Sequence, residues 1–239
     1  MKLNNQIYLG DAYKLIKEIP DKSIDIIITD PPYDIPKLHH SGITKNRKND
    51  FLDHLMTDEL GKGIDLKILD EFVRVLKNIN IYIWCNKSQI YDYLTYFVKE
   101  KKCKFEILIW SKSNPIPFCG NHYLLDKEYC LYFWDDNVKV NIPFERGRTV
   151  FITTTNKEDK DQYKHPTVKP IEIIEMLLKN SCGGGLVFDP FLGSGTTALA
   201  AKHLGLDYLG FEISEKYFKV AEDRLNGINQ KGEMNLFDI

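Results

Sequence analysis

Short apolar runs alternate with amphipathic stretches along almost the whole chain, which is the pattern of strand and helix in turn. Ile7-Tyr8-Leu9 reads as a strand ending at Gly10-Asp11, and Ala12 to Ile19 as a short helix stopped by Pro20. Ile24 to Thr29 is a buried strand. A long polar loop follows from about Asp34 to Thr57, and loops of that length are usually functional or mobile. Leu60 to Lys77 carries a helical stripe through Leu66, Leu69, Phe72, Val73 and Leu76. Ile81 to Trp84 predicts a strand, Gln89 to Lys101 a helix, and Phe105 to Trp110 and Tyr129 to Trp134 two further strands. The stretch from Asp135 to Pro166 is irregular, with one candidate strand at Val150 to Thr153. The alternation then resumes. Pro170 to Asn180 is a helix with proline in its first turn, and Leu186 to Phe188 a strand. Thr196 to Leu204 is a helix, Tyr208 to Ile213 a strand, and Ser214 to Asn226 a helix capped by Ser214.

This order predicts an α/β fold in one domain spanning 1–239, a length that suits a single core. The apolar and charged fractions, 43% and 28%, are those of a soluble globular protein. With no membrane-length apolar run and no signal-peptide core, the expected location is cytoplasmic. The five cysteines form no C-x-x-C pair, so buried free thiols are expected and no metal site. A formal net charge of −2 gives no global nucleic-acid signal, so any such surface must be a local patch. The candidates are the Lys37 to Lys48 loop, with Lys37, Lys45 and Arg47, and the pair Arg146 and Arg148. A mixed-charge run holding Lys157, Lys160 and Lys164 is weaker.

Two strand ends carry candidate chemistry. Asp30-Pro31-Pro32-Tyr33 follows the strand from Ile24. Consecutive prolines fix their own torsions, supply no amide protons and hold the preceding residue extended. The Asp30 carboxylate and the nearby carbonyls can then converge beside a tyrosine ring, an arrangement suited to a planar group with an exocyclic amine. A plain proline turn would account for the same four residues. The second end is Asp189-Pro190-Phe191-Leu192-Gly193-Ser194-Gly195-Thr196, a strand, a glycine turn and a helix start. Glycines there let the backbone approach a ligand. Glu212 ends the next strand, 23 positions beyond Asp189, where an acid can bond a ribose diol. No Walker-type lysine follows the glycines, and Ala198 stands where the dinucleotide fingerprint has its third glycine, which leaves NAD a minor alternative. His165-Pro166-Thr167-Val168-Lys169-Pro170 leads into the helix before this unit; Thr167 and Lys169 can hold a carboxylate and amine, or simply start a helix. Asp11 can accept from an adenine amine or cap the helix from Ala12.

Taken together these residues resemble the S-adenosylmethionine-dependent DNA amino-methyltransferases of the D-P-P-Y type, over nearly the whole chain. The catalytic motif matches at Asp30, Pro31, Pro32 and Tyr33, the cofactor motif F-x-G-x-G at Phe191, Gly193 and Gly195, and H-P-T-x-K-P at His165 to Pro170. Their order, catalytic motif first, is similar to the permuted beta class. The resemblance implies a Rossmann-like, mostly parallel seven-stranded sheet in the order 3-2-1-4-5-7-6, with the last strand antiparallel. It implies S-adenosylmethionine as cofactor, held by Asp11, His165, Thr167, Lys169, Asp189, Phe191, Gly193, Ser194, Gly195, Thr196 and Glu212. It also implies a flipped base in double-stranded DNA as substrate. Aspartate at the first motif position is associated with adenine N6 and serine with cytosine N4, so adenine is favoured. RNA or protein-glutamine methyltransferases carry N-P-P-Y in another order, and a non-catalytic DNA-binding relative would show degraded motifs. A short target-recognition segment is expected at 135–164. Its size points to a short target or a homodimer, and a partner restriction endonuclease is a further expectation.

Overall fold

The computed structural model describes residues 1–33, 63–115, 123–140, 142–155, 168–181 and 183–228. Its strands are β1 (Gln6–Leu9), β2 (Ile26–Thr29), β3 (Asn80–Cys85), β4 (Lys104–Lys112), β5 (Lys127–Trp134), β6 (Val150–Thr153), β7 (Leu186–Asp189) and β8 (Asp207–Glu212). The helices are α1 (Ala12–Leu15), α2 (Ile68–Val75), α3 (Ile90–Leu94), α4 (Ile171–Ser181), α5 (Thr196–His203) and α6 (Glu215–Leu225). All eight strands join one sheet in the order β1-β8-β7-β2-β3-β5-β4-β6. From β1 to β4 this is the expected order, with β5 antiparallel to both of its neighbours. The eighth strand is the difference: β6, foreseen as a strand but not as part of the sheet, pairs parallel with β4 at the edge.

β2, β3 and β7 are buried at every position, as strands covered on both faces must be. Ile27, Ile81, Ile83, Phe188 and Phe211 face one layer, which α1, α2 and α3 cover with Ala12, Leu69, Phe72 and Tyr93. Ile26, Ile28, Tyr82, Trp84 and Val187 face the other, covered by α4 and α5 through Ile174, Leu177, Leu178, Ala200 and Ala201. α6 packs Ala221 and Leu225 against Leu199 of α5.

Two helices depart from the expected stripes. α2 begins at Ile68, and its buried residues are Ile68, Leu69, Phe72 and Val75, so Leu66 stays 41% exposed. The helix ends where Leu76 turns extended, and Ile24 bridges to Leu76 in parallel. Beyond α3 the chain widens into a π-helical segment, Thr95–Glu100, that still buries Phe97. Cys85, Cys103 and Cys130 are buried free thiols, as expected, while Cys119 and Cys182 lie outside the described residues. No helix among the described residues is long and apolar enough to cross a membrane.

Candidate active site

Asp11, Asp30, Asp189 and Glu212 follow or end β1, β2, β7 and β8, four adjacent parallel strands, so all four acids sit at the carboxyl edge of the sheet. Two stretches about 160 residues apart meet there directly. The Thr29 hydroxyl, one residue before Asp30, donates to Asp189 Oδ1 at 2.8 Å. This is the crevice between neighbouring strands where doubly wound sheets take ligands.

The glycine turn is set by its neighbours. Asp189 Oδ1 also accepts the Phe191 amide at 3.1 Å. Burial pushes the Asp189 carboxyl up to about 7, against the bonds from Thr197, Thr29 and Phe191. Gly193 (φ 55°) and Gly195 (φ 84°) adopt left-handed backbone. A side chain at Gly195 would also stand 2.9 Å from the Ala221 Cβ of α6. Arg224 of α6, 3% exposed, donates to the Ser194 carbonyl at 2.9 Å, to Ser194 Oγ at 3.2 Å and to Thr196 Oγ1 at 3.0 Å. Sequence reading missed this arginine, which looks like an ordinary last-turn cation. Glu212 accepts the Gly193 amide at 2.8 Å and the Ser214 amide at 2.7 Å, one on each oxygen. The Ile213 amide bonds it as well, and since a carboxylate has about four acceptor positions, one remains for a ribose hydroxyl. Asp11 caps α1 through Tyr13, at 2.9 Å. Phe191 meets the Tyr13 ring edge-on at 6.4 Å.

On the other side of the crevice, Pro32 gives its carbonyl to Gln89 Nε2 at 3.4 Å. The Lys169 ammonium, 5% exposed, contacts Asp30 Oδ2 directly. The same ammonium lies 3.1 Å from Glu128 Oε2 and 3.4 Å from the Tyr33 hydroxyl. It stands 5.1 Å from the Trp84 ring centre. Asp30 Oδ1 is shielded from water and accepts no hydrogen bond among the described residues. Burial raises the Asp30 carboxyl, Lys169 opposes that rise, and Glu128 adds to it. Burial alone would lower the Lys169 ammonium, but Asp30 and Glu128 outweigh it and raise it. Glu128 and its second partner Lys112 belong to β5 and β4 just outside the apolar runs that name those strands, and sequence reading misses both.

Lys169 was expected at the cofactor; the structure places its charge on the Asp30 carboxylate. His165, Thr167, Lys37, Lys45 and Arg47 lie outside the described residues. Arg146 bonds Asn180 at the end of α4 remote from Lys169, with Nε to Oδ1 at 3.0 Å, and is not brought to the crevice. Arg148 is exposed.

The doubly wound sheet, with an acidic glycine turn beside a buried acceptor cluster, is that of an S-adenosylmethionine-dependent amino-methyltransferase, the class its relatives show. The family model described as DNA methylase, of the N6/N4 methyltransferases, matches residues 24–223. The chain belongs to that family and is a DNA methyltransferase. It is 32% identical to the Type II methyltransferase M.HinfI of Haemophilus influenzae, over 94% of this chain and 69% of that protein. It is 29% identical to the Type II methyltransferase M2.DpnII of Streptococcus pneumoniae, over 92% of this chain and 89% of that one. The crystal structure of an M1.HpyAVI–SAM complex superposes with a TM-score of 0.69 at 28% identity, covering 92% of this chain and 99% of that chain. The cytosine-N4-specific PvuII DNA methyltransferase, 17% identical with a TM-score of 0.67 over 92% of this chain and 85% of its own, shares the fold.

Proposed function

We propose that this chain methylates adenine N6 at a specific site in double-stranded DNA, with Asp30, Pro31, Pro32 and Tyr33 as its catalytic residues. One arrangement carries the reading: the Thr29–Asp189 bond joins the two motif-bearing strand ends, and beside it Asp30 Oδ1 is enclosed and accepts no hydrogen bond among the described residues. An unpaired buried acceptor costs about 1–3 kcal/mol. The exocyclic amine of a flipped base is the donor it lacks.

The cofactor residues fit a nucleoside with a charged tail. Glu212 keeps an acceptor position for a ribose hydroxyl, the left-handed backbone at Gly193 and Gly195 sets the turn beside it, and Phe191 offers an apolar wall. Asp189, Ser194 and Thr196 shape the turn through their bonds. Asp11, and His165 and Thr167 by motif, complete the assignment. When bound, S-adenosylmethionine supplies the methyl group: the N–C bond forms as the S–C bond breaks, and that bond's electron pair stays on sulfur as a neutral thioether.

Asp30 Oδ1 and the Pro31 carbonyl accept from the amine and draw its lone pair out of ring conjugation. That help grows as nitrogen becomes tetrahedral, so it favours the transition state over the ground state. The surplus proton on nitrogen passes to Asp30 Oδ1 and is released to solvent once the methylated base has left the site. Tyr33 stacks on the base; burial raises its hydroxyl well above the usual range, so it stays neutral. Tyr33→Ala should weaken the reaction by roughly ten- to a hundredfold, from ~1–3 kcal/mol of lost stacking, and Tyr33→Phe by less. Equal single-turnover rates for wild type and Tyr33→Ala would show that no base stacks there.

The Type II names of the relatives support a companion restriction endonuclease. The small recognition segment 135–164, together with the 34–57 loop, supports a homodimer that doubles the surface offered to DNA, with Lys37, Lys45, Arg47, Arg146 and Arg148 as phosphate contacts. The expected site of action is the cytoplasm. Incubation with unmethylated genomic DNA and S-adenosylmethionine, followed by nucleoside mass spectrometry, should yield N6-methyladenine. N4-methylcytosine would reassign the base, and unmodified DNA would end the proposal.

A further inference from the structure

Behind Lys169 the charges continue. Glu128 of β5 gives Oε2 to Lys169 at 3.1 Å and Oε1 to Lys112 of β4 at 2.6 Å. The four groups form a chain of alternating sign, Lys112–Glu128–Lys169–Asp30. Their side chains are 16%, 17%, 5% and 20% exposed. Indole rings flank both cations: Trp110 lies 5.2 Å from Lys112 and Trp84 5.1 Å from Lys169. Charges so shielded from water act on one another far more strongly than surface pairs do.

We infer that Glu128 and Lys112 are positioning residues for methyl transfer: by sharing the Lys169 ammonium between two carboxylates, they keep it on Asp30 Oδ2 and leave Oδ1 as a charged, unblocked acceptor. The inference rests on the reading of Asp30 given above. Without Glu128, Lys169 would have Asp30 as its one carboxylate partner, and would neutralise or cover the oxygen the amine needs. Without Lys112, Glu128 would draw Lys169 away from Asp30. Burial would raise Glu128, but Lys169 and Lys112 outweigh it and hold it at about 2, so it stays ionised throughout the working range.

Among the described residues the titratable groups around Asp30 are few. Burial raises Tyr33, Tyr93 of α3, Cys85 of β3 and Cys130 of β5, so all four stay neutral. Lys169, Glu128 and Asp189 of β7 remain. Burial is the main cause of the rise at Asp189, Asp30 adds to it, and the bonds from Thr197, Thr29 and Phe191 oppose it.

The two ends of the chain therefore act oppositely, which a purely architectural ion network would not do. Asp30 must be ionised to accept, so turnover falls on its acid side. Glu128 raises the Asp30 carboxyl, so Glu128→Gln should move the acid limb of the kcat–pH profile to lower pH, with a plateau about tenfold lower, ~1.4 kcal/mol. Lys112→Met should move that limb to higher pH, and Lys112→Arg should return it. The KM for S-adenosylmethionine should change less than twofold in each. The assay is tritiated-methyl transfer to unmethylated genomic DNA. Limbs that stay put or move together in the two variants, or losses that track cofactor binding, would overturn the inference. Should Glu128→Gln not fold, the Lys112 pair carries the same test, and an unmoved limb in Lys112→Met overturns it alone. An inactive wild-type chain would remove the reading of Asp30 itself and this inference with it.

Discussion

Asp30→Asn is expected to abolish methyl transfer as completely as Asp30→Ala, with S-adenosylmethionine still binding. The reason lies in the two oxygens of Asp30. One contacts the Lys169 ammonium and the other, Oδ1, accepts no hydrogen bond among the described residues. An asparagine in the same place must turn its carbonyl to Lys169, because two donors cannot face each other. Its amide hydrogens then occupy the acceptor position and oppose the incoming amine. Loss of a charged acceptor aimed at the reacting nitrogen should cost at least about a thousandfold in single-turnover rate. Equilibrium dialysis with labelled cofactor should show affinity within about threefold of wild type, since Glu212 and the glycine turn are untouched. A variant keeping more than a tenth of the activity would remove Asp30 from the catalytic role.

Lys169→Met should produce the second large effect, on stability and on pH response together. Methionine leaves Asp30 without its ion-pair partner and Glu128 with Lys112 alone. Breaking a buried pair by removing one partner typically costs ~3–5 kcal/mol. For a chain of this size that lowers Tm by roughly 6–20 °C. The sign of the pH effect follows from the causes at Asp30. Burial and Glu128 raise its carboxyl and Lys169 opposes them. With Lys169 gone the carboxyl rises further, and the acid limb of activity moves to higher pH. A raised KM for S-adenosylmethionine with an unmoved limb would instead place Lys169 at the cofactor tail, the role its motif implies.

The apolar runs at Ile26 to Ile28, Ile81 to Trp84 and Leu186 to Phe188 name their strands, because residues covered on both sides are apolar almost throughout. Asp30 and the glycine turn were recognisable because proline and glycine leave an unusual local signature. Their meeting was an expectation from family order, and the Thr29–Asp189 bond is its physical form. The rest of the crevice is non-local. Lys112 and Glu128 lie on β4 and β5 just past the apolar runs, and a charge beyond an apolar run reads as a solvated loop. Only the antiparallel pairing, with Trp110 opposite Glu128, brings them together. The parallel partner of β6 was hidden for the same reason, since nothing within Val150 to Thr153 names β4.

The grip of Arg224 on Ser194 and Thr196 has a consequence for biosynthesis. The glycine bend, proposed above as the seat of the methyl donor, is braced by a residue 30 positions later in the chain. A polypeptide still emerging from the ribosome therefore lacks a finished donor cradle until α6 has docked, and chains cut short before that helix should be inert toward DNA rather than weakly active.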